Sequence, residues 1–299
     1  MSENRMERRG FLKAAAVGAA GVAALGLPRG ASAEESTAVA ASPVKLGVAS
    51  YSLRNFPRAK AIEMIKELGV PYVNIKSVHL DYKLSPAEIA AARKEFTDAG
   101  LTIVGGGTVT FDQDTDESVQ RYFEYAKAAG FPLIVSMGTA KVFERVAKFI
   151  PKYDIKVAIH NHGPEDKNFP SPYDVLKFVA DKDPRMGLCM DIGHTERAGA
   201  DPVQAAADAG PRLLDMHSKD LADLMVKESQ VAVGEGKIPI AKLFRQLEAQ
   251  GYQGYVNLEY EIKANDPLPG MKNSFANMRG ILSGLAAAQV PPLKAKKVV

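Results

Sequence analysis

Short apolar runs alternate with amphipathic stretches along most of the chain. From Val44 onward, runs rich in branched and aromatic residues are each followed by a segment with helical spacing of apolar positions, and several segments end in glycine. The runs predict strands at 45–53, 72–80, 101–109, 132–139, 156–163, 186–194, 213–220 and 255–261. The segments between them predict helices at 57–69, 85–100, 117–130, 140–150, 171–182, 201–210 and 238–251.

Eight strand–helix units in a chain of this length are typical of a single (β/α)8 TIM barrel, which usually needs about 250 residues. The alternative is a doubly wound open sheet, which usually carries a glycine-rich nucleotide loop after its first strand. Here the first strand continues into SYSLRNFPR without such a loop. Gly105, Gly106 and Gly107 lack the spacing of a phosphate loop, so they predict close packing instead. We therefore expect the barrel to span 44–288, with a C-terminal tail at 289–299.

The first 33 residues have the layout of an export signal. A basic start is followed by an Ala/Gly/Val/Leu run and by the small residues Ala31, Ser32 and Ala33. Arg8 and Arg9 resemble the twin-arginine (Tat) signal of bacterial exported proteins, although Glu7 stands where Ser or Thr is commonest. The apolar run is short for a membrane span, but an uncleaved N-terminal anchor is the alternative. The resemblance implies cleavage after residue 33, a flexible leader at 34–43, a periplasmic or other extracytoplasmic location and no stable membrane anchor.

Net charge limits the classes of binding partner, and the cysteine count excludes an internal disulfide. Removing the signal's five basic and two acidic residues from the totals of 38 and 35 leaves 33 of each sign. A formal charge of zero gives no electrostatic support for nucleic acid as a partner. The single cysteine, Cys189, cannot form an internal disulfide, and we expect it to be a core residue. A homo-oligomer is left open.

The predicted strands five to eight carry ionisable residues on one face near their carboxyl ends. Side chains alternate along a strand. The inward-facing sets are Ala158, His160 and His162; Gly187, Cys189 and Asp191; Asp215, His217 and Lys219; and Asn257, Glu259 and Glu261. The opposite faces, expected to contact the helices, carry Val157, Ile159, Leu188, Met190, Leu214, Met216, Val256 and Leu258. Because unpaired buried charges are costly, ionisable groups on four adjacent strands predict a ligand site.

Two histidines, one aspartate and one glutamate form a mixed nitrogen–oxygen shell suited to one divalent ion such as Mn²⁺, Zn²⁺, Co²⁺ or Fe²⁺. The predicted ligands are His160, Asp191, His217 and Glu259. Each has an alternative role, since Asp191 could cap the following helix and the histidines could be satisfied core or loop residues. Coincidence is a poor explanation when all four stand at matched positions on adjacent strands.

The motifs on these strands resemble the xylose-isomerase-like TIM barrels, a superfamily of sugar isomerases, epimerases, dehydratases and apurinic endonucleases. The matching segments are Asp191 to His194, His217-Ser218-Lys219-Asp220, Val-Asn-Leu-Glu259 and Gly234-Glu235-Gly236. The resemblance implies a shell of Glu, Asp, His and Glu, of which the last three correspond to Asp191, His217 and Glu259. The first glutamate is replaced, because the family's Glu-Asn-His signature reads His160-Asn161-His162.

That replacement affects the assignment of catalytic groups. In the epimerases of the superfamily the first glutamate is also one of two catalytic carboxylates, a role that histidine need not take over. The catalytic candidates are therefore Glu259, Glu261, Lys219 and His162. We expect His194, Lys76 and Glu235 to support the ligands or to contact substrate, although Glu235 could be solvated and Lys219 could pair with Asp220. His79, Tyr51 and Arg54 are weaker substrate-contact candidates.

The resemblance implies a metal-dependent isomerase or epimerase that acts on a small carbohydrate or polyol through an enediolate. The same intermediate could expel a β-leaving group, so a lyase or dehydratase acting on a keto-sugar or keto-glycoside is the main alternative. A non-catalytic sugar-binding barrel is another. An apurinic endonuclease needs a three-metal cluster with further early histidines, whereas only His79 among the five histidines lies early.

Overall fold

The structure, a computed structural model, describes residues 44–288. The predicted signal, leader and C-terminal tail lie outside these residues. The strands are β1 (Lys45–Ala49), β2 (Tyr72–Ile75), β3 (Thr102–Phe111), β4 (Leu133–Gly138), β5 (Lys156–His160), β6 (Met186–Asp191), β7 (Leu213–Ser218), β8 (Asp220–Leu221), β9 (Gln230–Val231) and β10 (Tyr255–Leu258). The helices are α1 (Arg58–Glu67), α2 (Pro86–Asp98), α3 (Asp116–Ala129), α4 (Ala140–Tyr153), α5 (Pro172–Val179), α6 (Ile192–Arg197), α7 (Pro202–Ala209), α8 (Ile240–Ala249) and α9 (Leu268–Ala287).

Eight parallel strands close into a barrel in the order β1-β10-β7-β6-β5-β4-β3-β2. The helices alternate with the strands along the chain, which confirms the predicted (β/α)8 TIM barrel. The short strands β8 and β9 form a separate antiparallel pair in the connection between β7 and α8. Among the described residues, no helix is both long enough and apolar enough to cross a bilayer.

The alternation of inward and outward side chains follows the predicted faces with one exception. Val157, Ile159, Leu188, Met190, Met216, Val256 and Leu258 belong to the large apolar core that includes the helices. Ala158 and Cys189 form a small interior cluster with Leu133 and Val135. Leu214 was expected on the outer face but packs against this interior cluster. The reason is a shift in the β6–β7 register between Leu188 and Cys189, since Leu188 pairs with Leu213 whereas Cys189 pairs with Asp215.

The glycines within β3 allow close packing, as predicted. A Cβ at Gly106 would lie 1.9 Å from Cε2 of Phe131, and one at Gly107 would lie 2.2 Å from the carbonyl oxygen of Val135. Real Cβ atoms do not approach other atoms this closely, so strand β3 lies against its neighbours only because these side chains are missing.

Several predicted strands end earlier than expected, and two helices were not predicted. The strand expected at 186–194 ends at Asp191, because the side chain of Asp191 accepts a hydrogen bond from the backbone N–H of His194 and starts α6. Helix α6 has only six residues, too few to show a helical period. Helix α9 contains three glycines, which lower helix propensity, yet it buries an apolar stripe of Met271, Phe275, Met278 and Leu282.

Candidate metal centre at the carboxyl ends of the strands

Four of the predicted ligands come together at the carboxyl ends of four adjacent barrel strands. His160 ends β5, Asp191 ends β6, His217 lies at the end of β7 and Glu259 follows β10. One potential ligand atom of each lies within 4.8 Å of those of the other three, and all four side chains are buried. This cluster, called here the metal cluster, could hold a metal ion.

Asp191 has both of the roles considered for it, one for each carboxylate oxygen. Its Oδ1 accepts the backbone N–H of His194 at 2.9 Å and caps α6. Its Oδ2 lies 3.5 Å from Nε2 of His160 and 3.1 Å from Nζ of Lys219, but no donor in the described part of the chain is aligned to hydrogen-bond it. The helix cap therefore fixes the carboxylate while leaving one oxygen available as a ligand.

His160 lies at the end of β5 as a neutral imidazole. Its side chain is only 3% exposed, and neither ring nitrogen has a hydrogen-bond partner among the described residues. Burial lowers the pKa of His160 to about 4, against the opposing effect of Asp191. A neutral ring keeps a lone pair that can bind a metal ion.

His217 and Glu259 are in contact on the opposite side of the metal cluster. Nδ1 of His217 lies 3.2 Å from Oε2 of Glu259. Burial disfavours both charges, but in the metal-free site the glutamate raises the pKa of His217 and the imidazolium and Lys219 lower the pKa of Glu259. A carboxylate that stays ionised while buried is suited to binding a cation.

Lys219 brings a positive charge into the same cluster. Its Nζ lies 3.1 Å from Oδ2 of Asp191 and 3.0 Å from Oε2 of Glu259, and it also donates to Oε2 of Glu261. The side chain is 4% exposed, and the three carboxylates raise the pKa of Lys219 despite its burial. Lys219 does not pair with Asp220, whose carboxylate instead accepts the backbone N–H groups of Leu221, Gly234, Gly236 and Ile238.

The donor set fits a divalent transition metal. Both nitrogens of His160, both nitrogens of His217 and Oδ2 of Asp191 are buried without hydrogen-bond partners within residues 44–288. Buried polar atoms usually have partners, so this concentration of unsatisfied donors and acceptors at one point needs an explanation. A metal ion bound by two imidazoles and two carboxylates would supply it.

His194 lies beside the metal cluster and is held by a side chain that the sequence analysis did not identify. Nη1 of Arg197 donates to Nδ1 of His194 at 3.2 Å, and Arg197 also pairs with Glu165. Because arginine only donates, Nδ1 of His194 must accept, and the proton sits on Nε2. Burial lowers the pKa of His194 to about 3, so the ring is neutral. The His162 ring lies 4.8 Å from that of His194 and 5.6 Å from that of His160.

Among the remaining predicted substrate contacts, Lys76 and Arg54 lie against the ring of Tyr51, whereas His79 is buried elsewhere. Nζ of Lys76 donates to the carbonyl and hydroxyl oxygens of Thr108, each at 2.8 Å, and lies 5.5 Å from the centre of the Tyr51 ring. Arg54 stacks on the same ring and donates to the carbonyl oxygen of Glu261 at 2.6 Å. His79 is instead buried and bonded to Ser50 and Phe56, which indicates a structural role.

Glu235 is not among the residues whose potential ligand atoms meet in the metal cluster. Its side chain is exposed, and its recorded partner is Asn273 on α9 at 3.5 Å. The Gly234-Glu235-Gly236 segment is instead positioned through its backbone, by the hydrogen bonds to Asp220.

Two further amides fix the strand ends and were missed. Oδ1 of Asn161 accepts the backbone N–H of Asp191 at 2.9 Å, while its Nδ2 donates to Thr195. Gln230 on β9 donates to the carbonyl of Glu259 at 2.9 Å and accepts the N–H of Glu261 at 3.1 Å. Asn161 stands next to a predicted ligand, which was an available signal. Gln230 lies in a stretch of polar residues without a motif, and only the fold places it here.

A second buried group lies deeper in the barrel. Cys189, Asp215 and His217 also bring potential ligand atoms within 4.8 Å of one another. Burial raises the pKa of the Cys189 thiol to about 12 and that of Asp215 to about 7. Asp215 accepts hydrogen bonds from Nδ2 of Asn257 at 2.9 Å and from Nδ2 of Asn74 at 3.3 Å.

The volume of a surface cleft does not by itself identify the candidate site. A surface cleft of about 830 Å³ lies between the α6–α7 region and α8, with Glu196, Met225 and Arg245 in its lining. It contains none of the residues of the metal cluster. The chemistry of the donor set, and not the size of a cleft, identifies the strand ends as the site.

Comparisons with known proteins agree with this architecture. The family model described as "Xylose isomerase-like TIM barrel" matches residues 62–281. No curated protein sequence matches the chain significantly.

Solved structures resemble the chain over most of its length. A putative uncharacterized protein from Parabacteroides distasonis is 24% identical with a TM-score of 0.63, covering 80% of this chain and 99% of its own. The 3-keto-D-glucoside 4-epimerase from E. coli is 19% identical with a TM-score of 0.64, covering 79% and 99%. The probable 3-DHS dehydratase from Bacillus anthracis is 13% identical with a TM-score of 0.66, covering 79% and 99%. At these identities the likeness shows the fold.

Proposed function

The chain belongs to the xylose isomerase-like TIM barrel family, and we propose that it is a divalent-metal-dependent isomerase or epimerase acting on a sugar or polyol beside a carbonyl group. The observation that carries this proposal is the metal cluster, in which buried and unsatisfied ligand atoms meet at the carboxyl ends of the barrel strands. That end of the barrel is where enzymes of this architecture have their active sites.

His160, Asp191, His217 and Glu259 would hold the ion. Bound there, a divalent ion supplies positive charge that polarises a carbonyl or a neighbouring hydroxyl group of the substrate. Asn161 and the cap on α6 keep Asp191 in place, and Gln230 holds the end of β10.

The groups that would move protons stand on two sides of the barrel mouth. Glu261 follows β10, is partly exposed and contacts Lys219, and a carboxylate at this position can accept a proton from carbon. His162 follows β5, which is separated from β10 by β6 and β7 in the barrel. Groups on different sides can remove a proton from one face of a carbon and return one to the other, as epimerisation requires. Glu259 remains the second carboxylate candidate.

A lyase is the second candidate, and His160 favours it. The residue that replaces the first carboxylate is a neutral imidazole, since burial lowers its pKa to about 4. A β-elimination needs one base at the α-carbon and an acid at the leaving group, so it tolerates the loss of one carboxylate. His162, on the other side of the barrel mouth from Glu261, could protonate the leaving group. The structural neighbours include both an epimerase of a 3-keto-glucoside and a dehydratase.

The experiment is incubation of the Mn²⁺-loaded protein with a panel of keto-sugars and keto-glycosides in D₂O, followed by NMR. An isomer or epimer carrying deuterium at the carbon next to the carbonyl supports the first candidate. An unsaturated product with a released leaving group supports the lyase. Neither product nor exchange across the panel contradicts both and favours a non-catalytic sugar-binding barrel.

Two variants sharpen this experiment. Glu261→Gln should lower turnover by at least about a hundredfold, the scale expected for loss of one acid–base group. Glu63→Gln, an exposed carboxylate on α1 paired with Lys60, should leave it unchanged. Equal losses in the two variants would argue against Glu261 as the base.

Export is a separate proposal, because residues 1–43 lie outside the described part of the chain. N-terminal sequencing of the protein recovered from the periplasmic fraction should begin at residue 34. A start at residue 1 or 2 in the cytoplasmic fraction would contradict it.

A further inference from the structure

The position of Lys219 raises the question of what balances the buried carboxylates before a metal ion arrives. Asp191 and Glu259 are 0% and 8% exposed, and both bring an oxygen into the metal cluster. Two buried carboxylates with no counter-charge would be strongly destabilising. The ammonium of Lys219 lies 3.1 Å from Oδ2 of Asp191 and 3.0 Å from Oε2 of Glu259. The ammonium therefore contacts one oxygen of each of the two ligand carboxylates.

We propose that Lys219 is an internal cation that competes with the divalent ion for Asp191 and Glu259, and that Glu261 retains the ammonium when the ion binds. The proposal rests on the metal site of the proposed function and adds what controls its occupancy. The ion and the ammonium would share the same two carboxylates, so their charges repel and the lysine contacts must loosen for the ion to bind tightly.

Glu261 provides the remaining partner for the displaced charge. It accepts a hydrogen bond from Lys219, lies outside the ligand set and is more exposed than either ligand carboxylate. Its backbone is held independently, by Gln230 and by Arg54, so it can receive the ammonium without disturbing β10. Metal binding would then turn the lysine from the ligands toward the mouth of the barrel, where substrate enters.

This arrangement predicts a result opposite to that of a lysine that merely supports the ligands. If Lys219 competes, its removal increases metal affinity; if it positions Asp191 and Glu259, its removal decreases metal affinity. Glu261 is informative for the same reason, because the part of its effect on metal affinity that disappears when Lys219 is removed measures its action through Lys219.

The test is Mn²⁺ affinity measured by isothermal titration calorimetry on protein stripped with EDTA. Lys219→Met should bind Mn²⁺ at least about tenfold more tightly than the unaltered protein. Glu261→Gln should bind it at least about threefold more weakly, and the same change in the Lys219→Met background should weaken binding by a clearly smaller factor. Lys60→Met, which removes an exposed lysine on α1 paired with Glu63, should alter affinity less than threefold.

Thermal unfolding provides a second readout. In EDTA, Lys219→Met should melt at a lower temperature than the unaltered protein, and saturating Mn²⁺ should remove most of that deficit. Equal or weaker Mn²⁺ binding by Lys219→Met, or an equal effect of Glu261→Gln in both backgrounds, overturns the competition while leaving the metal site intact. Binding of neither Mn²⁺ nor Zn²⁺ by either protein overturns the metal site itself and the proposed function with it.

Discussion

Asp215 is a buried acid whose protonation should contribute strongly to the pH dependence of stability in the metal-free protein. It lies inside the barrel below His217, is 2% exposed, and accepts hydrogen bonds from Asn257 and Asn74. Burial raises the pKa of Asp215 to about 7, which the two amide hydrogen bonds and His217 only partly offset. In the unfolded chain an aspartate titrates near pH 3.9.

The sign and size of the effect follow from these two pKa values. The folded protein holds the proton on Asp215 until about pH 7, whereas the unfolded chain releases it near pH 4. Stabilisation by that proton is therefore fully present below about pH 4 and lost as the pH rises through 7. A difference of about three pKa units corresponds to about 4 kcal/mol, of which about 3 kcal/mol is lost between pH 5 and pH 8.

Asp215→Asn removes this titration while keeping the shape of the side chain. The new amide can accept from one neighbouring asparagine and donate to the other, since the side-chain oxygens of Asn74 and Asn257 lack partners among residues 44–288. The free energy of unfolding of the variant, relative to the unaltered protein, should therefore rise by about 3 kcal/mol between pH 5 and pH 8.

The assay is urea denaturation in EDTA, followed by circular dichroism at pH 5, 6.5 and 8. Asp112→Asn, at an exposed position, controls for the change in net charge. A stability difference for Asp215→Asn that stays constant across this range would show that the carboxylate is ionised throughout. The burial argument for Asp215 would then be wrong.

Three substitutions and one labelling experiment test the packing, the loop geometry and the burial of Cys189. Gly106→Ala should destabilise the fold by about 1–3 kcal/mol because its Cβ would overlap the Phe131 ring, whereas Gly284→Ala, in open space on α9, should stabilise it by about 0.5–1 kcal/mol; urea midpoints measure both. Asp220→Ala should cost about 2–3 kcal/mol in the same assay, because four backbone N–H groups lose their charged acceptor. Cys189 should react with a thiol reagent only as fast as the protein unfolds, because it is fully buried and its pKa is raised to about 12; rapid labelling of the native protein would contradict this.

The fold could be predicted from sequence because the periodic signal repeats. Each strand–helix unit carries its own alternation and end signals, such as the Ser85–Glu88 capping box of α2, and the units reinforce one another. What could not be predicted depends on tertiary contacts. Helix α9 has weak local propensity and is held by its buried stripe, and the register shift that turns Leu214 inward depends on how β7 pairs with β6.

Some residues of the candidate site could likewise be predicted from sequence, and others could not. The four residues of the metal cluster follow from strand alternation, because a period of two fixes which strand-end side chains face the barrel interior. Gln230 and Arg197 do not follow from any period, since they reach the site from a two-residue strand and from a six-residue helix. Glu235 was expected near substrate because it lies in a matching motif. The structure shows that this motif is held by its backbone and that the side chain is exposed, and a substrate contact of Glu235 stays a prediction.

A histidine at the end of β5, in place of the carboxylate that the family resemblance implies there, should change which metal ion the site prefers. Two imidazoles with two carboxylates give a softer donor set than three carboxylates with one imidazole, and Lys219 offsets one negative charge. We therefore expect Zn²⁺, Co²⁺ or Fe²⁺ to be favoured over Mn²⁺ more strongly here than after His160→Glu, which restores a carboxylate at the end of β5. Competition between Zn²⁺ and Mn²⁺, measured by elemental analysis of dialysed protein, should show the Zn²⁺ preference falling by at least about tenfold in the variant. An unchanged ratio would mean that His160 is not a ligand, and that Asp191, His217 and Glu259 alone determine the preference.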